Sequence, residues 1–72
     1  MGEILTGQIT KLVEDRGFGF LARDGDDGPP FLFHRSVCTS AFADLRVGDR
    51  VTFERDPFAY RGPRCSRVVV VR

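Results

Sequence analysis

The 72-residue chain contains no apolar run longer than the four valines Val68 to Val71. A bilayer helix needs about 20 apolar residues, so no segment here can span a membrane as a helix. Metal and disulfide chemistry are equally short of material: there are two cysteines, Cys38 and Cys65, and one histidine, His34. Disulfide scaffolds are cysteine-dense, and zinc sites draw on Cys-x-x-Cys pairs or several histidines. The expectation is therefore two reduced thiols in a cytoplasmic protein, with no metal site. The start, Met1-Gly2-Glu3-Ile4, lacks the basic and then apolar stretches of a secretory signal. Gly2 and Thr6 match only the outline of a myristoylation pattern. Also missing is any segment with apolar periodicity of helical length.

What remains is an ordinary globular composition, 42% hydrophobic and 29% charged, too apolar for a disordered chain and sized for one domain spanning 1–72. The net charge of +1 hides an asymmetry. Positions 1–49 carry five basic groups against eight acidic ones, a balance of −3, whereas positions 50–72 carry six arginines against Glu54 and Asp56, a balance of +4. Lysine is nearly absent: Lys11 is the one basic residue that is not arginine. Arginine offers a flat, forked donor set that suits phosphate oxygens and stacks on rings, although a solvated strand face would also account for the pattern.

Short β-rich runs alternate with turn clusters, the habit of a small barrel or sandwich. The first run, Ile4 to Val13, carries Gly7 near its middle, where a strand glycine often marks a bulge or tight bend. The second is Gly17 to Arg23, followed by the turn-forming segment Asp24 to Pro30, and the third is Phe31 to His34. Arg35 to Asp49 is irregular, with room for a short helical turn after Ser36. It closes in Leu45-Arg46-Val47-Gly48-Asp49-Arg50-Val51, where the leucine and valine can plug a barrel while Gly48 takes the turn. Strands four and five are expected at Arg50 to Arg55 and about Pro63 to Val71. The fold class is thus all-β, a five-stranded antiparallel Greek-key barrel of the OB type.

Alternation within Gly17-Phe18-Gly19-Phe20-Leu21 places Phe18 and Phe20 on one face and Gly17, Gly19 and Leu21 on the other. Two accounts compete. Either the phenylalanines are core and the glycines sit outside, or the glycines let the backbone curl inward while the phenylalanines form an exposed platform. In the third run Phe31 and Phe33 share one face and Leu32 and His34 the other; if the former point inward, the latter join Phe18 and Phe20. An outward patch of rings edged by arginines suits single-stranded nucleic acid, because every base has a face that stacks on Phe or His.

Arg16-Gly17-Phe18-Gly19-Phe20-Leu21 resembles the first ribonucleoprotein motif of cold-shock domains, and Phe31-Leu32-Phe33-His34-Arg35-Ser36 resembles the second. The likeness extends to Gly7-Gln8-Ile9, to Leu45-x-x-Gly48-x-x-Val51-x-Phe53 and to Arg61-Gly62-Pro63, so it covers nearly the whole chain in order. The resemblance implies an OB barrel that binds single-stranded RNA or DNA, often as an RNA chaperone. Residue by residue, it implies that Phe18, Phe20 and His34 stack on bases, with Phe42 near another aromatic position. Arg16 and Arg61 match positions usually held by Lys or Arg. The chain departs from the family where a basic residue and a stacking tryptophan are expected, since Thr10 and Lys11 stand there. Leu32 replaces a phenylalanine, and Arg35 replaces the aromatic after the histidine. Lys11 and Arg35 can contact phosphates in compensation, and Arg35 can also stack by its guanidinium plane. Phe58 and Tyr60, in the loop between strands four and five, can supply further stacking or can instead cap the barrel end.

Enzymatic readings find little support. His34 and Cys38 lack an orienting third group, and the Asp24–Gly28 segment breaks the calcium-loop pattern. The expectation is a non-enzymatic, sequence-tolerant single-strand binder that acts as an RNA chaperone or a regulator of transcription or translation. It would work as a monomer without cofactor, small-molecule substrate or membrane partner. Two rivals stay open. One is a protein-interaction module on an OB barrel whose nucleic-acid platform has degenerated, and the other is a domain detached from a larger protein.

Overall fold

Apolar residues at every second position make β1 (Ile4–Val13), and the same alternation recurs in the other strands of the computed structural model, which describes residues 4–59 and 62–71. The remaining strands are β2 (Phe18–Arg23), β3 (Phe31–His34), β4 (Arg50–Arg55) and β5 (Cys65–Val70). They form one antiparallel sheet in the order β3-β2-β1-β4-β5. The sheet curls until its edges meet: Leu32 and Arg64 form a parallel bridge, and the Leu32 N–H donates to the Pro63 carbonyl at 3.0 Å. This is the expected all-β OB-type Greek-key barrel. No helix among the described residues is long and apolar enough to cross a membrane.

β1 holds the barrel together by serving two partners. Residues 4–8 pair with β4 and residues 7–13 with β2, so Gly7 and Gln8 belong to both ladders. The core lies inside the curl, where Leu5, Ile9, Leu21, Phe33, Phe53 and Val68 are buried. Each such side chain contributes about 1.5–3 kcal/mol of hydrophobic stabilisation. Leu45 plugs one end and Val51 joins the core, whereas Val47 is 62% exposed and takes no part in the plug.

Several boundaries differ from the sequence expectation for identifiable reasons. The second strand begins at Phe18 because Gly17 closes the β1–β2 turn at φ +69°, its N–H donating to the Val13 carbonyl at 2.9 Å. The fifth begins at Cys65 because Pro63 and Arg64 are engaged in closing the barrel against β3. Instead of one helical turn after Ser36 there are two 3-10 turns, Arg35–Val37 and Phe42–Asp44. The first starts at Arg35 because the His34 side chain caps it, accepting the Ser36 N–H at 3.2 Å. The bulge in β1 falls at Thr10, between the pairs Ile9–Leu21 and Lys11–Phe20, and not at Gly7. Gly7 is required for close approach instead: a Cβ there would stand 2.3 Å from the Ala22 carbonyl oxygen.

Candidate nucleic-acid interface

The bulge decides which side chains reach the outer face. Up to Ile9 the odd-numbered residues of β1 point inward, and unbroken alternation would turn Lys11 and Val13 inward as well. The extra residue, Thr10, resets the phase, so Thr10 and Lys11 are both exposed and Leu12 packs against the core. The Thr10 hydroxyl donates to the Phe20 carbonyl at 3.3 Å across the irregularity.

Beyond the bulge two rows of side chains cross the sheet. One runs Val13, Phe18, His34; the other runs Lys11, Phe20, Leu32 and, through the barrel closure, Arg64. The second row therefore reads cation, ring, aliphatic, cation. Phe18 and Phe20 are half-buried and meet edge to face, with centroids 5.9 Å apart and planes at 88°. Their strand neighbours Gly17, Gly19 and Leu21 are buried, as are Phe31 and Phe33. The phenylalanines of β2 are outside and those of β3 inside, which rules out the core reading of Phe18 and Phe20.

His34 is exposed at the end of its row, and its orientation is held locally. Nδ1 accepts the Ser36 N–H and lies 3.0 Å from the Ser36 hydroxyl, so the ring proton belongs on Nε2, away from that turn. Arg35 is exposed, its N–H donates to the Gly17 carbonyl at 2.8 Å, and its aliphatic stem covers Gly17. Arg16 is exposed in the β1–β2 turn, beside the Phe18 end of the platform. Phe58 is 86% exposed, which leaves it no role in capping the barrel; its N–H donates to Asp56 Oδ1 at 2.9 Å.

Two shallow clefts flank Leu32. The larger, about 410 Å³, is bounded by Phe20, Leu32, Phe58, Pro63 and Arg64 with Asp56 at its edge. The smaller, about 260 Å³, lies between Phe18, Leu32, His34 and Arg64. Phe18, Phe20, His34, Lys11 and Phe58 are thus brought to one surface. Phe42 stands apart from it: half-buried, it packs against the core with its ring 6.4 Å from that of Phe33. Tyr60 and Arg61 lie outside the described residues. Arg64, common to both clefts, is the residue that sequence reasoning missed. Its place depends on barrel closure, a long-range contact; the only local signal is its position directly after Arg61-Gly62-Pro63. Among the described residues no group of three or more His, Cys, Asp or Glu side chains is placed to hold a metal ion.

A surface of outward rings edged by cations on a five-stranded barrel can stack flat aromatic groups and attract anions. No family model matches the chain. Individual relatives do. The chain is 32% identical over 71 residues to the cold shock-like protein CspA of Shewanella violacea, covering 99% of this chain and 100% of that protein. It is also 32% identical over 71 residues to the cold shock protein CspV of Vibrio cholerae, with the same coverage. A cold shock protein of Arthrobacter globiformis is 32% identical over 65 residues, 90% of this chain and 96% of the relative. The chain belongs to the cold-shock protein family.

Proposed function

We propose that this protein binds single-stranded RNA or DNA with broad sequence tolerance, as a monomer without cofactor, and serves as an RNA chaperone or a regulator of transcription or translation. The observation that carries the reading is the outward edge-to-face pair Phe18 and Phe20, set between Lys11 and His34 in adjoining crosswise rows. Bases stack on Phe18, Phe20 and His34, with Phe58 and Tyr60 extending the stacking surface; Phe42, packed against the core, takes no part in it. Stacking of this kind contributes about 1–3 kcal/mol per base and favours single strands, because duplex bases are already stacked on one another. Lys11, Arg16, Arg35 and Arg61 serve the phosphates. Guanidinium and ammonium groups at the places where the family carries aromatics exchange stacking for charge, which makes binding more sensitive to salt.

The test is a fluorescence anisotropy titration of labelled oligo-dT, oligo-U and a duplex of equal length at low salt. Saturable binding of the single strands, with the duplex weaker by tenfold or more, is the expected result. Failure to bind any single strand would leave the protein-interaction reading, in which Leu32 at the centre of the platform presents an apolar contact.

A further inference from the structure

Resting on the interface just proposed, we propose that one of its base positions is selective for guanine, with Arg64 as the residue that reads it and Asp56 as its counterpart. Arg64 is placed by the barrel closure beside Leu32, and it lines both clefts of the platform. Among the other described arginines of the same half of the chain, Arg50 is paired with Asp24 and Arg55 stands over the Phe31 ring, while Arg67, exposed on β5, lines neither cleft. The Arg64 guanidinium is exposed and has no ion-pair or hydrogen-bond partner among the described residues. Asp56 shares the larger cleft with it, and the two are tied through the backbone, the Asp56 N–H donating to the Arg64 carbonyl at 2.8 Å. Their side chains nevertheless form no ion pair.

A carboxylate beside a surface for a polyanion is unfavourable unless it meets a donor. Asp56 spends one oxygen, Oδ1, on the Phe58 N–H, which sets the Phe58 ring at the rim. The other oxygen has no partner among the described residues and is the one offered to a ligand in the cleft. Guanine complements such a site, because O6 and N7 accept a bidentate guanidinium while N1–H and the N2 amine donate to a carboxylate. Thymine and uracil lack an edge with two adjacent acceptors, and adenine sets a donor beside N7 where Arg64 needs an acceptor. Phe20, Leu32, Phe58 and Pro63 supply the apolar walls. A volume of about 410 Å³ falls at the small end of ligand pockets, which run to about 300–1,000 Å³. The remaining base positions stay tolerant, so the selectivity is confined to one place in the bound strand.

The experiment is a set of labelled heptanucleotides, all-dT and single-dG at each position in turn, titrated into the intact protein by anisotropy. The best dG position is repeated with inosine and with 7-deazaguanine. One dG position should bind about tenfold more tightly than all-dT, and 7-deazaguanine there should lose most of that gain. Arg64→Gln and Arg64→Lys, checked for folding by circular dichroism, should each bring the dG strand to the all-dT level of the same variant. Lysine keeps the charge and loses the fork. Asp56→Asn, which retains an acceptor for the Phe58 N–H, should no longer distinguish guanine from inosine. Equal affinity for dG and dT at every position, with all-dT still bound, overturns the guanine assignment and leaves the interface standing. Uniform weakening by Arg64→Gln with rescue by Arg64→Lys also overturns it, since that is the behaviour of a phosphate contact. If no strand binds at all, the interface itself is refuted and the assignment with it.

Discussion

Gly19 of β2 lies directly against the ring of Phe33 in β3: a Cβ at position 19 would stand 2.7 Å from Phe33 Cζ and 2.7 Å from the Lys11 carbonyl oxygen. The inner phenylalanine fits only because the neighbouring strand has no side chain on that face, and the two phenylalanines flanking Gly19 are thereby free to face out. Gly19→Ala should cost about 1–3 kcal/mol, the usual range for overpacking. Gly7→Ala should cost more, because its Cβ would meet the rigid Ala22 carbonyl at 2.3 Å. Urea unfolding of both variants checks the order. For a 72-residue domain whose total stability is about 4–11 kcal/mol, either loss is large.

The outer rings should behave in the opposite way. Phe18→Ala and Phe20→Ala each remove a stacking surface and should weaken single-strand affinity by about 5- to 150-fold. Their stability cost should stay near the about 0.5–1.5 kcal/mol of an edge-to-face pair, beyond a modest loss of buried area. Anisotropy titration and urea unfolding on the same protein preparations separate the two effects. A large loss of stability with unchanged affinity would make these rings structural.

Much of this arrangement is legible in the sequence because alternation is a local property. Reading Phe31 and Phe33 as inward and Leu32 and His34 as outward needs only the two-residue period of a strand, and the structure agrees. What alternation cannot convey is phase after an interruption. Thr10 is an ordinary strand residue, and no glycine or proline marks it, so the bulge that turns Lys11 outward is invisible until the pairing is known. Gly7, the visible irregularity, turns out to answer a packing need. Arg64 is hidden for a related reason: its neighbour Leu32 lies across the closure, and sequence distance says nothing of that contact.

Phe58 offers a cleaner separation of binding from folding than either platform ring. It is 86% exposed, so truncation removes almost no buried surface. Phe58→Ala should leave the unfolding midpoint unchanged while lowering affinity about fivefold or more, the smaller end of a lost stack. The double variant Phe58→Ala, Tyr60→Ala should lower it further. Retention of full affinity by the folded double variant would remove both rings from the interface.

Salt should report the phosphate contacts independently of the rings. If Lys11, Arg16, Arg35 and Arg61 neutralise about three or four phosphates, log affinity should fall against log salt with a slope of about −2 to −3. Lys11→Ala should flatten that slope by about 0.7, whereas Phe20→Ala, on the neighbouring strand opposite Lys11, should leave it unchanged. A flat response with strong binding would contradict the electrostatic part of the interface.

Cys65 should make the barrel sensitive to alkali. Burial pushes its thiol from an ordinary 9.0 up to about 12, with the nearby Cys38 adding to the shift. The folded state therefore holds the proton more tightly than the unfolded chain. The stability this contributes is complete below about pH 9 and is lost as pH rises toward 12, because the unfolded state gains by ionising first. Urea midpoints of the wild type and Cys65→Ala, compared from pH 8 to about pH 11, isolate this group, since the two proteins differ at no other position. The wild type should fall relative to the variant above about pH 9; parallel curves would mean that the folded barrel admits the Cys65 thiolate as readily as water does.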